Sequence, residues 1–239
     1  MNEMINQIVF QVVIFLSNTI QTITGFAGTL LAMPFSIRLV GVEEAKAVLN
    51  IFTLFACFII TVQNYKYINK EKLVKMIGGM IIGMAVGVWL FERLSLDLML
   101  TLYALLIILI ALKKLFINRE MNLPGWSTVL ILVAAGLVHG MFLSGGALLV
   151  VYAVTVLKDK NEFRATIAPV WVILNSVLIV SHYQSGYYTS QNLISIGISI
   201  LPLATSIWLG NLLYKKINQQ MFLKITYVLL IISGVSLLI

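Results

Sequence analysis

Apolar residues in this chain form long blocks that are separated by short charged runs. A helix needs about 20 predominantly apolar residues to cross a bilayer. Blocks of about that length predict six membrane spans, at about 47–64, 74–91, 97–116, 165–182, 192–213 and 220–239. Two further blocks, 6–37 and 126–157, are too long for one span each.

Glycines interrupt both long blocks. The first contains TGFAGTLLAMP, from Thr24 to Pro34, and the second contains HGMFLSGGALLVVY, from His139. Inside a helix, Gly costs about 1 kcal/mol relative to Ala and Pro about 3 kcal/mol. Backbone left unpaired by such a break in a bilayer must be covered by protein or line a cavity. We therefore predict that each block is a helical hairpin or a pair of half-helices, crossing either fully twice or only part-way.

The two halves of the chain match at a nearly constant offset. Gly28 lies 118 residues before Gly146, and EAKA from Glu44 lies 118 residues before EFRA from Glu162. This spacing predicts two repeats, residues 1–120 and 121–239, each with a broken block followed by three spans. A row of small residues four positions apart is interpreted as a helix-packing surface, and it consists of Gly79, Gly83 and Gly87.

The charges of the loops predict how the repeats are oriented. The loop 64–75 is rich in lysine, whereas its counterpart 181–192 has no Asp, Glu, Lys or Arg. Basic loops stay in the cytoplasm, so equivalent loops should lie on opposite sides of the membrane. The repeats are therefore predicted to be inverted, with both termini outside.

Composition decides the broad class of protein. The chain is 60% hydrophobic and 10% charged, with a mean hydropathy of +1.01, whereas a soluble domain is about 25% charged. This predicts an integral membrane protein. The net charge of +7 comes from residues beside the spans, which indicates orientation signals rather than a nucleic-acid surface. The single cysteine, Cys57, supports no Cys-based metal site, and we expect no cofactor and no metal.

The residues around the two breaks favour an anion as ligand. Half-helix N-termini offer unpaired N–H groups and the positive end of a dipole, and paired broken segments mark transporter binding sites. In the alternative interpretation, the hydroxyls bond within their own helices and the glycines serve close packing. We expect the site to comprise Gln21, Thr24, Gly25, Gly28, Thr29, His139, Ser144, Gly145 and Gly146.

His139 is an ionisable residue that lies inside the second long hydrophobic block rather than at its end. An ionisable residue inside the membrane is by default a candidate for function. His139 could bind an anion when protonated or relay a proton, or it could be a neutral histidine bonded between helices. Second-rank candidates are Lys46 and Arg164, at matching positions of matching spans, and Asn50 and Asn175, within spans.

An enzymatic role is the main alternative. Ser144 precedes Gly145, but Phe142 stands where an intramembrane serine protease would carry glycine. The sequence has no HExxH motif, no acidic pair within a span and no Walker motif. We therefore predict no enzyme activity, and keep a membrane-embedded enzyme or a non-transporting subunit of a complex as alternatives.

At the breaks the chain resembles the TauE/SafE sulfite-exporter family. TGFAGTLLAMPF is similar to the family's first signature, and GLVHGMFLSGGALLVVY is similar to its second. The resemblance covers nearly the whole chain and implies an inner-membrane permease for sulfur-containing or organic anions such as sulfite, sulfonate or thiosulfate. The chain departs from the family at Ala27, Ser144 and Ala147, where relatives often carry Gly, Gly and Pro. The resemblance therefore implies transport as the class of function more strongly than it implies a particular substrate.

Together these features predict an all-α polytopic membrane protein with two inverted repeats. Its expected function is secondary transport of a small anionic solute across the bilayer, by movement of one half against the other.

Overall fold

The computed structural model describes residues 2–95 and 125–218, together with single positions between 98 and 109 and between 220 and 228. All regular structure in these residues is helical, so the all-α prediction is confirmed. The helices are α1 (Asn2–Thr24), α2 (Gly28–Val40), α3 (Val42–Asn64), α4 (Lys70–Phe91), α5 (Gly125–Phe142), α6 (Gly146–Val156), α7 (Lys160–Gln184) and α8 (Ser190–Lys216), with a short 3-10 helix at Tyr65–Tyr67.

Six of the described helices are long and apolar enough to cross a membrane: α1, α3, α4, α5, α7 and α8. Four predicted spans lie within α3, α4, α7 and α8 and are confirmed. The predicted spans 97–116 and 220–239 fall largely outside the described residues, as does the predicted repeat boundary at 120–121. The protein is a multi-pass membrane protein.

Both long blocks are broken where the glycines predicted. α1 ends at Thr24 and α2 begins at Gly28, while α5 ends at Phe142 and α6 begins at Gly146. α2 has 13 residues and α6 has 11, which at about 1.5 Å per residue gives lengths of about 20 and 16 Å. Both helices are therefore shorter than the hydrocarbon core of about 30 Å.

The first block folds back on itself. The Gln7 Nε2 atom donates to Glu44 Oε1 over 2.9 Å, so the chain returns after α2 to the end of the molecule where α1 begins. Gly41 lets α2 stop there, because its φ of +83° is a conformation that glycine adopts without strain. α1 and α2 thus form a helical hairpin whose tip is the first break.

The glycine row of α4 packs against α5, which confirms its interpretation as a packing surface. A Cβ atom added at Gly83 would come within 1.8 Å of the Val133 carbonyl oxygen, and one at Gly87 within 2.1 Å of the Leu137 oxygen. On the other helix, a Cβ atom added at Gly136 of α5 would come within 1.9 Å of the Met80 carbonyl oxygen. Small residues let the two backbones approach to a distance that any side chain would prevent.

Hydrogen bonds at the helix ends show the direction of the central helices. Asn50 of α3 pairs with His182 of α7 over 3.2 Å, whereas Asn69, just after α3, donates to Glu162 at the start of α7 over 2.8 Å. α3 and α7 therefore run antiparallel through the molecule.

The molecule has two chemically distinct ends. The tyrosine end holds the starts of α1, α3 and α8 and the loop with Tyr183, Tyr187 and Tyr188. The lysine end holds the starts of α4 and α7 and the end of α8, and its cations are Lys66, Lys70, Lys72, Lys158, Lys160, Lys215 and Lys216.

Candidate functional site

The two helix breaks meet in the interior. The Thr29 hydroxyl of α2 donates to the Leu143 carbonyl in the second break over 2.6 Å. The Trp171 indole of α7 donates to the Gly25 carbonyl in the first break over 2.8 Å. The sequence-predicted residues of the two blocks are therefore neighbours, although more than 100 positions separate them in the chain.

The first break is held by its own side chains. The Thr24 hydroxyl lies 3.3 Å from the Phe26 nitrogen and 3.2 Å from the Ala27 nitrogen, and accepts from both. Gly25 makes the turn with a φ of +84°. These bonds satisfy N–H groups that a helix terminus leaves without intrahelical partners.

The second break is built differently. Leu143 adopts a φ of +57°, which is uncommon for a residue with a side chain. The Ser144 hydroxyl lies 2.9 Å from the Phe142 carbonyl and 3.3 Å from the Thr29 carbonyl. Such backbone conformations cost about 1–3 kcal/mol and cluster at functional sites.

The glycines at the breaks contact protein. A Cβ atom at Gly28 would come within 2.7 Å of Gln21 Cβ, one at Gly145 within 2.2 Å of the Ala135 oxygen, and one at Gly146 within 2.8 Å of the Phe26 oxygen. This geometry is the one that the packing alternative expects for these glycines, because protein atoms lie close to the position of each added Cβ. Gly25 packs against Arg164, whose oxygen lies 3.4 Å from the position of an added Cβ.

Beside the first break, Gln21 is fully satisfied. Its Oε1 accepts from the Gly28 nitrogen over 2.6 Å, and its Nε2 donates to the Cys57 sulfur over 3.0 Å. Both side chains are completely buried. Gln21 and Cys57 thus form a closed polar pair that fastens α2 and α3 to α1.

Beside the second break lies the corresponding pair, His139 and Asn175, each 118 positions further along the chain. His139 is 1% exposed and Asn175 is fully buried, and the two side chains are close enough to interact. No hydrogen bond of good geometry is formed, however, by either ring nitrogen of His139 or either amide atom of Asn175 among the described residues. The His139 ring lies 4.9 Å from the Trp171 ring, measured between centroids.

The second-rank cations lie towards opposite ends of the molecule. Lys46 is buried at the tyrosine end, with its ammonium 3.6 Å from the centre of the Phe91 ring. Arg164 is buried at the lysine end, with its guanidinium 4.2 Å from the centre of the Tyr214 ring. Asn50 is also away from the breaks, paired with His182.

Sequence reasoning did not single out two residues of this region. Trp171 bonds to the first break, but an aromatic residue in an apolar span has the pattern of ordinary packing. Cys57 was considered as a metal ligand and not as a member of a polar pair, although its offset of 118 from Asn175 was visible in the sequence. Among the described residues, no group of three His, Cys, Asp or Glu side chains could hold a metal ion.

Long apolar helices around two interlocked helix breaks define a polytopic membrane protein, and paired breaks of this kind are typical of transporters. The chain belongs to the family described as Sulfite exporter TauE/SafE, whose sequence profile matches residues 10–237. It is 27% identical over 177 residues to the probable inner membrane transporter protein TsaS of Comamonas testosteroni, covering 73% of this chain and 74% of that protein. No solved structure matches the chain. The protein is a multi-pass inner-membrane protein.

Proposed function

We propose that the protein is a secondary transporter of a small sulfur-containing or organic anion, and that the anion binds at His139 and Asn175 beside the second break. The observation that carries this proposal is that, among the described residues, neither ring nitrogen of His139 nor either amide atom of Asn175 makes a hydrogen bond of good geometry, although both side chains are buried. Each such atom costs about 1–3 kcal/mol unless something binds it. A transported solute would supply that partner.

The chemistry around the breaks favours an anion over a cation. The buried polar side chains there are hydroxyls, amides, a thiol, an indole, one imidazole and the guanidinium of Arg164, and the described residues place no Asp or Glu among them. A buried carboxylate, the group that most strongly favours a bound cation, is therefore missing from the described part of this region. An imidazole N–H and an amide N–H are donors that fit an oxyanion. The family's description as sulfite exporters supports a sulfur oxyanion as the solute.

The directions of the helices support the inverted arrangement of the repeats. α3 begins at the tyrosine end, whereas its sequence counterpart α7 begins at the lysine end. α4 runs parallel to α5, because Met80 lies against Gly136 and Met84 against Gly140. α1 begins at the tyrosine end and its counterpart α5 at the lysine end. Inverted repeats permit alternating access, by rocking one half against the other around a central site.

The charges of the two ends support an orientation. The lysine end carries the basic loops and should face the cytoplasm, and the tyrosine end should face outward. The tyrosines then lie at the interface, where such residues are enriched.

Flux into liposomes tests the proposal. The purified protein is reconstituted, and uptake of sulfite, thiosulfate, a sulfonate and a carboxylate is compared with uptake by protein-free liposomes. We expect protein-dependent flux of at least one sulfur-containing anion. Flux of none of these anions above the protein-free control would contradict the proposal.

A further inference from the structure

A second polar region lies at the lysine end, apart from the His139–Asn175 pair. It is a cavity of about 320 Å³ between the end of α3, the first turns of α7 and the end of α8. The cavity is lined by Gln63, Asn64, Arg164, Asn211, Tyr214 and Lys215. This volume is ample for a small oxyanion with several water molecules.

Arg164 forms the inner wall of this cavity. Arg164 is only 2% exposed. The Nε atom donates to the Thr22 carbonyl over 2.7 Å, and an Nη atom donates to Asn211 Oδ1 over 2.8 Å. One face of the guanidinium lies against the Tyr214 ring. The side chain is thus held in one position by neutral partners.

The charged residues that line the cavity, Arg164 and Lys215, are both positive. No described Asp or Glu forms an ion pair with Arg164, and none of the lining residues is acidic. Lys215 adds a second cation, and it is exposed at the rim. Buried charges are normally paired, so a buried arginine with only neutral partners needs an anion.

Arg164 also connects the cavity with the interior. Its carbonyl, Cα and Cγ atoms pack on Gly25 of the first break, and its Nε atom holds the last turn of α1 through Thr22. An anion bound in the cavity would therefore lie next to the first break, between α1 and α2.

We propose that this cavity is an anion-binding entrance site at the lysine end, with Arg164 as its principal ligand and Lys215 as the residue that attracts anions to the rim. The proposal deepens the proposed function and rests on it for the role of an entrance, although the binding of the anion does not depend on transport.

Labelling of a cysteine in the cavity tests this site. Gln63→Cys places an exposed thiol on the cavity wall, and Cys57 stays in place because it is fully buried. The labelling rates of two methanethiosulfonate reagents are compared in detergent, one carrying a sulfonate and the other a quaternary ammonium. Protein without the added cysteine is the blank.

Arg164→Gln should lower the ratio of anionic to cationic labelling by about threefold to tenfold, because the cavity loses its buried charge. Arg164→Lys keeps the charge and should keep the preference for the anionic reagent, which separates the effect of charge from misfolding. The matched control is Arg38→Gln, an exposed cation at the far end of α2, and it should leave the ratio unchanged. An unchanged ratio in Arg164→Gln would overturn the proposal.

Competition by sulfate tests for a bound anion rather than a diffuse potential. Sulfate should slow the anionic labelling of Gln63→Cys saturably, and more than chloride at equal ionic strength, and Arg164→Gln should abolish the difference. Protection no better than that by chloride would overturn the site. Absence of flux in liposomes with protection intact would instead contradict the transport proposal and leave the anion site standing.

Discussion

At the scale of single residues, the protein contains two equivalent polar pairs in opposite states. Gln21 and Cys57 satisfy each other and the Gly28 nitrogen, whereas His139 and Asn175 make no side-chain hydrogen bond of good geometry among the described residues. The same two positions of the repeat thus serve structure in one half. In the other half they form the site that we propose for the solute.

This difference predicts opposite effects of matched substitutions on stability. Gln21→Leu should lower the free energy of unfolding by about 1–3 kcal/mol, since it leaves the buried Gly28 nitrogen without its acceptor. His139→Leu removes two unsatisfied nitrogens at the equivalent position, and should leave stability unchanged or raised in the absence of solute. Thermal unfolding in detergent measures both. Equal destabilisation by the two variants would show that His139 has partners in the folded protein.

At the scale of helices, close approach of backbones determines the packing of α4 on α5. The two helices touch where Gly83 and Gly87 face carbonyl groups of α5. Gly78 lies on the other side of the same helix, and a Cβ atom there would meet nothing within 4 Å.

The two glycines of α4 should therefore respond differently to the same substitution. Gly83→Ala forces the helices apart and should clearly lower the melting temperature of the purified protein. Gly78→Ala should leave it unchanged or raise it, because Ala is favoured over Gly in helices by about 1 kcal/mol. A melting temperature for Gly83→Ala as high as that for Gly78→Ala would refute the close contact.

The sequence predicted α3, α4, α7 and α8 because an uninterrupted apolar run of span length has few other stable structures in a bilayer. It predicted both breaks because glycine and proline are costly inside helices. It left open whether the broken blocks cross the membrane twice, because hydrophobicity alone does not show where α2 ends. Gly41 was a sequence signal for that end, since glycine is a common residue just after a helix.

The roles of individual site residues were harder to predict. A glycine approached by a ligand and a glycine approached by protein look the same in a sequence. Gly28, Gly145 and Gly146 proved to face protein atoms. The unsatisfied state of His139 and Asn175 depends on side-chain geometry across two helices, which no local pattern contains.

At the scale of the whole molecule, the distribution of charge separates a lysine end from a tyrosine end. Ser185 is exposed at the tyrosine end and Lys66 at the lysine end. Neither residue caps a helix by a side-chain hydrogen bond, unlike Asn69, which caps α4. These two positions are therefore suitable for mapping topology.

Cysteines at these positions should react from opposite sides of the membrane. An impermeant thiol reagent added to intact cells should label Ser185→Cys and miss Lys66→Cys, with the reverse result in inside-out vesicles. Cys57 is buried and should remain silent, which the parent protein verifies. Labelling of both positions from one side would contradict the inverted repeats and the proposed orientation.

The central claim is that the His139–Asn175 pair binds the transported anion. Replacing this pair by the residues at the equivalent positions of the first half tests the claim. The double variant His139→Gln/Asn175→Cys reproduces the Gln21–Cys57 pair and should fold with a closed, satisfied site. The measurement is uptake of sulfite and thiosulfate by liposomes containing equal amounts of folded parent or double variant. We predict flux in the parent and its loss in the double variant, with the melting temperature of the parent retained. Undiminished flux in the folded double variant would contradict the assignment of the binding site.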